Sequence, residues 1–108
     1  MVSEVDIRSF AAAHRDGALV VDVREPHEYV GGHVPGARLI PMREVPARMA
    51  ELADGRLVYV ICATGNRSLT AARWMGAAGI DAVSVAGGTA AWFRAGGPVA
   101  RGPHENAA

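Results

Sequence analysis

The chain has 108 residues, half of them apolar and a fifth charged, a composition that fits one ordinary globular domain and leaves no room for a second core. Its 11 basic and 11 acidic residues cancel and lie scattered, so no basic stripe exists to gather nucleic acid or anionic lipid. The longest apolar run, Leu57 to Ala63, is far short of the ~18 residues of a membrane span, so no transmembrane helix is expected.

Taken in chain order, the opening residues Met1 to Glu4 carry neither the basic nor the apolar region of a secretory signal, and a cytoplasmic protein is expected. Asp6 is placed to cap a helix over Ile7 to Arg15, ended by Gly17. Ala18 to Val23 and Ala37 to Ile40 read as strands, and after Pro41 the residues Val45, Met49 and Leu52 form a helical stripe. Leu57 to Ile61 is the strongest strand. Ala71, Trp74, Met75 and Ala78 mark the next helix, closed by Gly79, and Ala82 to Val85 the last strand. A short helix around Ala90 to Arg94 precedes Gly96-Gly97-Pro98, and residues 100–108 read as a frayed tail. Short continuous apolar runs suit strands covered on both faces, and their alternation with helices implies a parallel sheet between helical layers. There is no internal repeat and no linker long enough to divide the chain.

In open parallel sheets ligands bind where strand carboxyl ends meet helix amino ends, and that rule singles out Cys62. The residues after it, Ala63-Thr64-Gly65-Asn66-Arg67-Ser68, run straight into the helix bearing Ala71 and Met75. Such a loop can curl its backbone N–H groups around the sulfur as an anion nest, with Gly65 and Asn66 supplying residue types that tolerate left-handed backbone. The nest, the helix amino terminus and the charge of Arg67 all favour thiolate over thiol. A lone Cys in a small domain is otherwise commonly an inert buried thiol. Here the Gly-containing strand-to-helix loop with an Arg five positions on favours a nucleophile. Because all 11 non-histidine basic residues are Arg, chemistry that needs a Lys is excluded, and the single Cys makes neither an internal disulfide nor a paired-cysteine metal knuckle.

Three blocks in order resemble the rhodanese family: Asp22-Val23-Arg24-Glu25-Pro26-His27-Glu28-Tyr29 with Gly32-His33-Val34-Pro35-Gly36-Ala37, then Cys62 to Ser68, then Ala86-Gly87-Gly88-Thr89-Ala90-Ala91-Trp92. The likeness spans about Val5 to Val99, so residues 1–99 are expected to form the domain and residues 100–108 its tail. The resemblance implies an α/β three-layer sandwich with a five-stranded parallel sheet, and sulfurtransferase chemistry through a persulfide on Cys62. It also implies that the backbone amides of Ala63, Thr64, Gly65, Asn66, Arg67 and Ser68 cradle the transferred sulfur. Some members that handle thiosulfate well have further basic residues in this loop, whereas here Arg67 is the lone cation, which leaves the donor open.

Other residues invite blander readings. Asp22 and Arg24 match an Asp-x-Arg pair and are better read as a structural ion pair, with Glu28 a second partner for Arg24. His33 is better suited to holding a turn than to acting as a base, and His14, His27 and His104 show no metal-ligand spacing. Trp74 and Trp92 suit helix packing, and Gly87-Gly88 a tight strand-to-helix turn rather than a phosphate loop.

The expected activity is transfer of sulfane sulfur from thiosulfate or a related donor to a thiophile such as cyanide, a small thiol or a protein thiol, with no metal or organic cofactor. With no second Cys, discharge requires an external acceptor. Two rivals remain: a phosphatase or arsenate reductase, whose related loops are one residue wider than the four between Cys62 and Arg67, and a sulfur-carrying or partner-binding module with feeble turnover.

Overall fold

The computed structural model describes residues 3–105. Strands β1 (Ser3–Val5), β2 (Leu19–Asp22), β3 (Arg38–Leu39), β4 (Val58–Ile61) and β5 (Ala82–Val85) form one sheet in the order β1-β5-β4-β2-β3, with every pairing parallel. Five helices connect or follow them: α1 (Ile7–Arg15), α2 (Pro26–Gly31), α3 (Val45–Arg48), α4 (Asn66–Ala77) and α5 (Gly88–Arg94). The expected α/β sandwich with a five-stranded parallel sheet is thus the observed architecture. No helix among the described residues is long and apolar enough to cross a membrane.

The two-residue period of the strands sorts the core into two layers. Leu19, Val21 and Val23 on β2 and its extension, with Val58 and Val60 on β4, face Val45, Leu52, Ala71, Ala72 and Met75 on the α3 and α4 side. Val20, Ile61 and Val85 face Phe10 of α1 and Trp92 of α5 on the other side. Cys62 continues the β4 alternation into the α4 layer, which determines the side of the sheet on which its sulfur emerges.

The capping expectation for α1 holds, since the Ser9 amide donates to Asp6 Oδ1 at 2.8 Å. The stripe after Pro41 is realised in three short turns, with 3₁₀ segments at Met42–Glu44 and Met49–Leu52 flanking α3. Val45 and Leu52 still reach the core. Two elements were not anticipated: β1, a short and largely exposed edge strand, and α2, which starts at Pro26 inside the Asp22–Tyr29 block.

Two expectations are corrected. Trp92 packs as anticipated, 3% exposed with its Nε1 donating to the Pro98 carbonyl at 2.7 Å, but Trp74 is 39% exposed because it lies on the outer face of α4. The stretch after Val99 is not frayed through Glu105. Ala100 bridges His33 in antiparallel fashion, and the Gly36 amide donates to the Glu105 carbonyl at 2.9 Å. Residues 106–108 of the expected tail lie outside the described residues.

Candidate active site

The sulfur of Cys62 sits at the carboxyl end of β4 under a loop that closes over it. The Gly65 amide donates to Sγ at 3.1 Å and the Ser68 amide at 3.3 Å, with the Ser68 hydroxyl also 3.3 Å away. Gly65 makes this curl with φ +111, a left-handed conformation in which a Cβ would lie 3.3 Å from the Gly87 amide nitrogen. Asn66, also considered for a left-handed position, instead begins α4. No non-glycine residue among those described has positive φ.

Burial of Cys62, only 1% exposed, pushes its thiol up, yet the hydrogen bonds from the Ser68 hydroxyl and from the amides of Ser68, Gly65 and Thr64 outweigh it and leave the pKa below the ordinary thiol range. The loop is clamped from the far side as well. The Thr89 amide donates to the Cys62 carbonyl at 2.9 Å and the Ala90 amide to the Ala63 carbonyl at 3.1 Å, so the first turn of α5 holds the loop by its carbonyls while the sulfur receives its donors. Gly88 makes that approach possible: at φ +57, a Cβ there would stand 2.3 Å from the Cys62 carbonyl oxygen.

The structure brings Cys62, Gly65 and Ser68 into direct contact, with Ala63 half-buried beside them and Thr64 and Asn66 on the exposed rim. Arg67 lies in the first turn of α4 as expected, but its charge is compensated. Its Nη1 and Nη2 donate to Glu28 Oε1 and Oε2 at 2.8 and 3.0 Å. That bond holds the Glu28 carboxyl down at about 2 and pushes Arg67 up, with the Cys62 charge a smaller contributor to the latter.

Glu28, with Asp22 a candidate partner for Arg24 by sequence, instead gives its carboxylate to Arg67. Arg24 pairs with Asp22 alone, through Nη2 to Oδ2 at 2.8 Å and Nε to both oxygens, and spends its remaining donors on the carbonyls of Gly32 and Glu28. This is the structural pair anticipated. His33 is fully buried, its ring nitrogens 2.9 Å from the Tyr29 carbonyl and 3.0 Å from the His104 carbonyl. It holds a turn and the segment after Val99.

Ser84 was missed. It is fully buried on β5 with its Oγ 2.7 Å from Ser68 Oγ, and nothing local in its sequence sets it apart from any strand residue. Among the described residues no group of three or more His, Cys, Asp or Glu side chains is placed to hold a metal ion.

The sequence model of the family described as Rhodanese-like domain matches residues 6–95. A sulfurtransferase of Allochromatium vinosum is 36% identical over 102 residues, covering 92% of this chain and 95% of that protein. Among solved structures, a rhodanese-related protein of Thermoplasma volcanium superposes with a TM-score of 0.84 at 31% identity, covering 90% of this chain and 96% of that one. A thiosulfate sulfurtransferase from Pseudomonas aeruginosa superposes with a TM-score of 0.85 at 26% identity, covering 98% of this chain and 21% of that one.

Proposed function

Because the chain belongs to the rhodanese-like domain family, we propose that it is a sulfurtransferase that carries sulfane sulfur as a persulfide on Cys62. The observation that carries this reading is the convergence of the Gly65 amide, the Ser68 amide and the Ser68 hydroxyl on one sulfur atom whose pKa is lowered. Such donors favour the thiolate, the attacking form, over the thiol without a histidine base.

The reaction runs in two displacements. The Cys62 thiolate attacks the sulfane sulfur of thiosulfate or a related donor; a bond forms between Sγ and that sulfur, and the bond from it to the leaving group breaks. For thiosulfate the electron pair departs with sulfite. The outer sulfur of the persulfide then carries the negative charge, and we assign its stabilisation to the amides of the loop from Ala63 to Ser68, of which those of Gly65 and Ser68 donate to Sγ itself. A thiophile such as cyanide, a small thiol or a protein thiol attacks the outer sulfur and expels Cys62 as thiolate, restoring the starting state with no cofactor consumed.

Mass spectrometry of the intact protein after incubation with thiosulfate tests this. The expected result is a gain of one sulfur atom that cyanide or excess dithiol removes, and no gain in Cys62→Ser, whose hydroxyl is a far poorer nucleophile at neutral pH. An unchanged mass with thiosulfate and with low-molecular-weight persulfides alike would overturn the reading in favour of a binding module. Efficient hydrolysis of p-nitrophenyl phosphate would overturn it in favour of a phosphatase.

A further inference from the structure

Ser84 occupies a position that strand alternation reserves for an apolar side chain. Val85 points to the α1 and α5 layer, so Ser84 points to the α4 layer, beside Val60 in the parallel register. A hydroxyl in a fully buried strand must find a partner. Ser68 Oγ, 2.7 Å away, is the one side-chain partner it has among the described residues.

Ser68 Oγ in turn faces three groups: Ser84 Oγ, the Gly65 carbonyl at 3.2 Å, and Cys62 Sγ at 3.3 Å. A hydroxyl has one hydrogen and two lone pairs. Either hydroxyl could donate by geometry, but Ser84 Oγ has no other partner among the described residues, so its hydrogen is satisfied only if Ser68 accepts there and directs its own hydrogen away from Ser84. Two destinations remain. When Cys62 is a thiol, S–H donates to the second lone pair of Ser68, whose hydrogen then goes to the Gly65 carbonyl. When Cys62 is a thiolate, the hydrogen turns to Sγ.

We propose that Ser84 is a positioning residue for the sulfur chemistry: by donating to Ser68 Oγ it dedicates the Ser68 hydrogen to a two-position switch between the Gly65 carbonyl and the Cys62 thiolate. A hydroxyl that accepts one hydrogen bond donates a stronger one, and the gain is greater when the acceptor is charged. Ser84 therefore favours the thiolate over the thiol without touching it. In the persulfide the charge moves to the outer sulfur, and the Ser68 hydrogen returns to Gly65. The inference rests on Cys62 being the reactive thiolate, and it concerns ionisation, which is measured without any sulfur donor.

The charged groups around the sulfur are Arg67 on α4, paired with Glu28 of α2, and Asp22 at the end of β2, paired with Arg24. None of them is altered in the test. The ionisation of Cys62 is followed by ultraviolet thiolate absorbance against pH in the full chain. In Ser84→Ala the midpoint is expected to move upward, lowering the thiolate-to-thiol ratio below it by roughly threefold to tenfold. Ser68→Ala should move it further, and adding Ser84→Ala to Ser68→Ala should move it no more, because the path runs through Ser68. Ser84→Thr and Ser84→Val, alike in shape, separate the hydroxyl from packing: the Thr variant stays close to the parent curve and the Val variant follows Ala. A midpoint unmoved in folded Ser84→Ala, an equal shift in the Thr and Val variants, or a full Ser84→Ala effect in the Ser68→Ala background would each overturn the proposal. Loss of sulfur loading in the unmodified protein would instead count against the persulfide reading.

Discussion

Glu28 grips Arg67 with both carboxylate oxygens, 39 residues away in sequence, and thereby sets an anion against the one cation of the Cys62 loop. The guanidinium fork is matched to carboxylate geometry, so a donor with negative charge must compete with an intramolecular partner already in place. Glu28 Oε1 also accepts from the Glu25 amide at 3.0 Å, which ties this arrangement to the first turn of α2.

Glu28→Gln removes the competing charge while keeping an oxygen for the Glu25 amide. We expect kcat/KM for thiosulfate, a dianion, to rise about threefold to tenfold, and that for a low-charge persulfide donor to change little. Steady-state kinetics with both donors checks this. A parallel fall for both would mean that the pair serves only to order α2.

The same pair makes stability depend on pH. Glu28 has its carboxyl held at about 2 against an ordinary 4.5, so the native state favours the ionised form. The stabilisation is complete above about 4.5 and fades as pH falls towards about 2. Because both side chains are partly exposed, its size is on the order of 1 kcal/mol. Thermal melts of the parent and Glu28→Gln should differ at neutral pH and converge on acidification, whereas a constant gap would assign the loss to packing.

Arg67→Ala leaves the Glu28 charge unopposed at the site mouth, so it should be more damaging to anionic donors than the loss of a cation alone. A fall of about tenfold to a hundredfold in thiosulfate turnover is expected. Arg67→Lys should recover part of it, since a point charge replaces the fork imperfectly. Combining Arg67→Ala with Glu28→Gln should recover part as well, and rates for the double variant below those of Arg67→Ala would contradict the electrostatic account.

Gly88→Ala, at the first residue of α5, should be strongly disruptive. Its Cβ would meet Cys62 O at 2.3 Å and Ala63 O at 2.6 Å, in a left-handed backbone conformation. Both obstacles are backbone, so α5 or the Cys62 loop must move, at a cost of roughly 3 kcal/mol or more. Gly79→Ala serves as a comparison, because it shares positive φ but meets nothing within 4 Å. Denaturant unfolding of both variants separates backbone strain from the clash.

The sequence made visible whatever rests on local pattern: the apolar strand runs, the Asp6 cap, and the Cys62–Ser68 loop, whose residues are contiguous. Features joined across the fold were hidden from it. Nothing between Glu28 and Arg67 announces their pairing, and the partners open to Arg24 looked equivalent until the chain brought Glu28 to α4. Ser84 reads as a polar interruption of a strand, and its meaning depends on which face it takes and on Ser68 arriving opposite. Trp74 misled because its spacing fits the helical stripe, although the sheet covers only the Ala71 and Met75 face of α4. The segment after Val99 looked featureless because its order comes from backbone groups meeting His33 and Gly36, and backbone carries no side-chain signal.

The sheet order has a consequence for synthesis on the ribosome. β1 precedes the other strands of the sheet, yet its one neighbour among the described residues is β5, the last of them, so its backbone donors and acceptors wait for almost the whole domain to emerge. The Cys62 loop waits too, since the amides that anchor its carbonyls belong to Thr89 and Ala90. On a nascent chain that ends before α5, the Cys62 loop lacks the two amides that anchor its carbonyls. The loop around the sulfur is thus complete only when the last helix of the domain has been made.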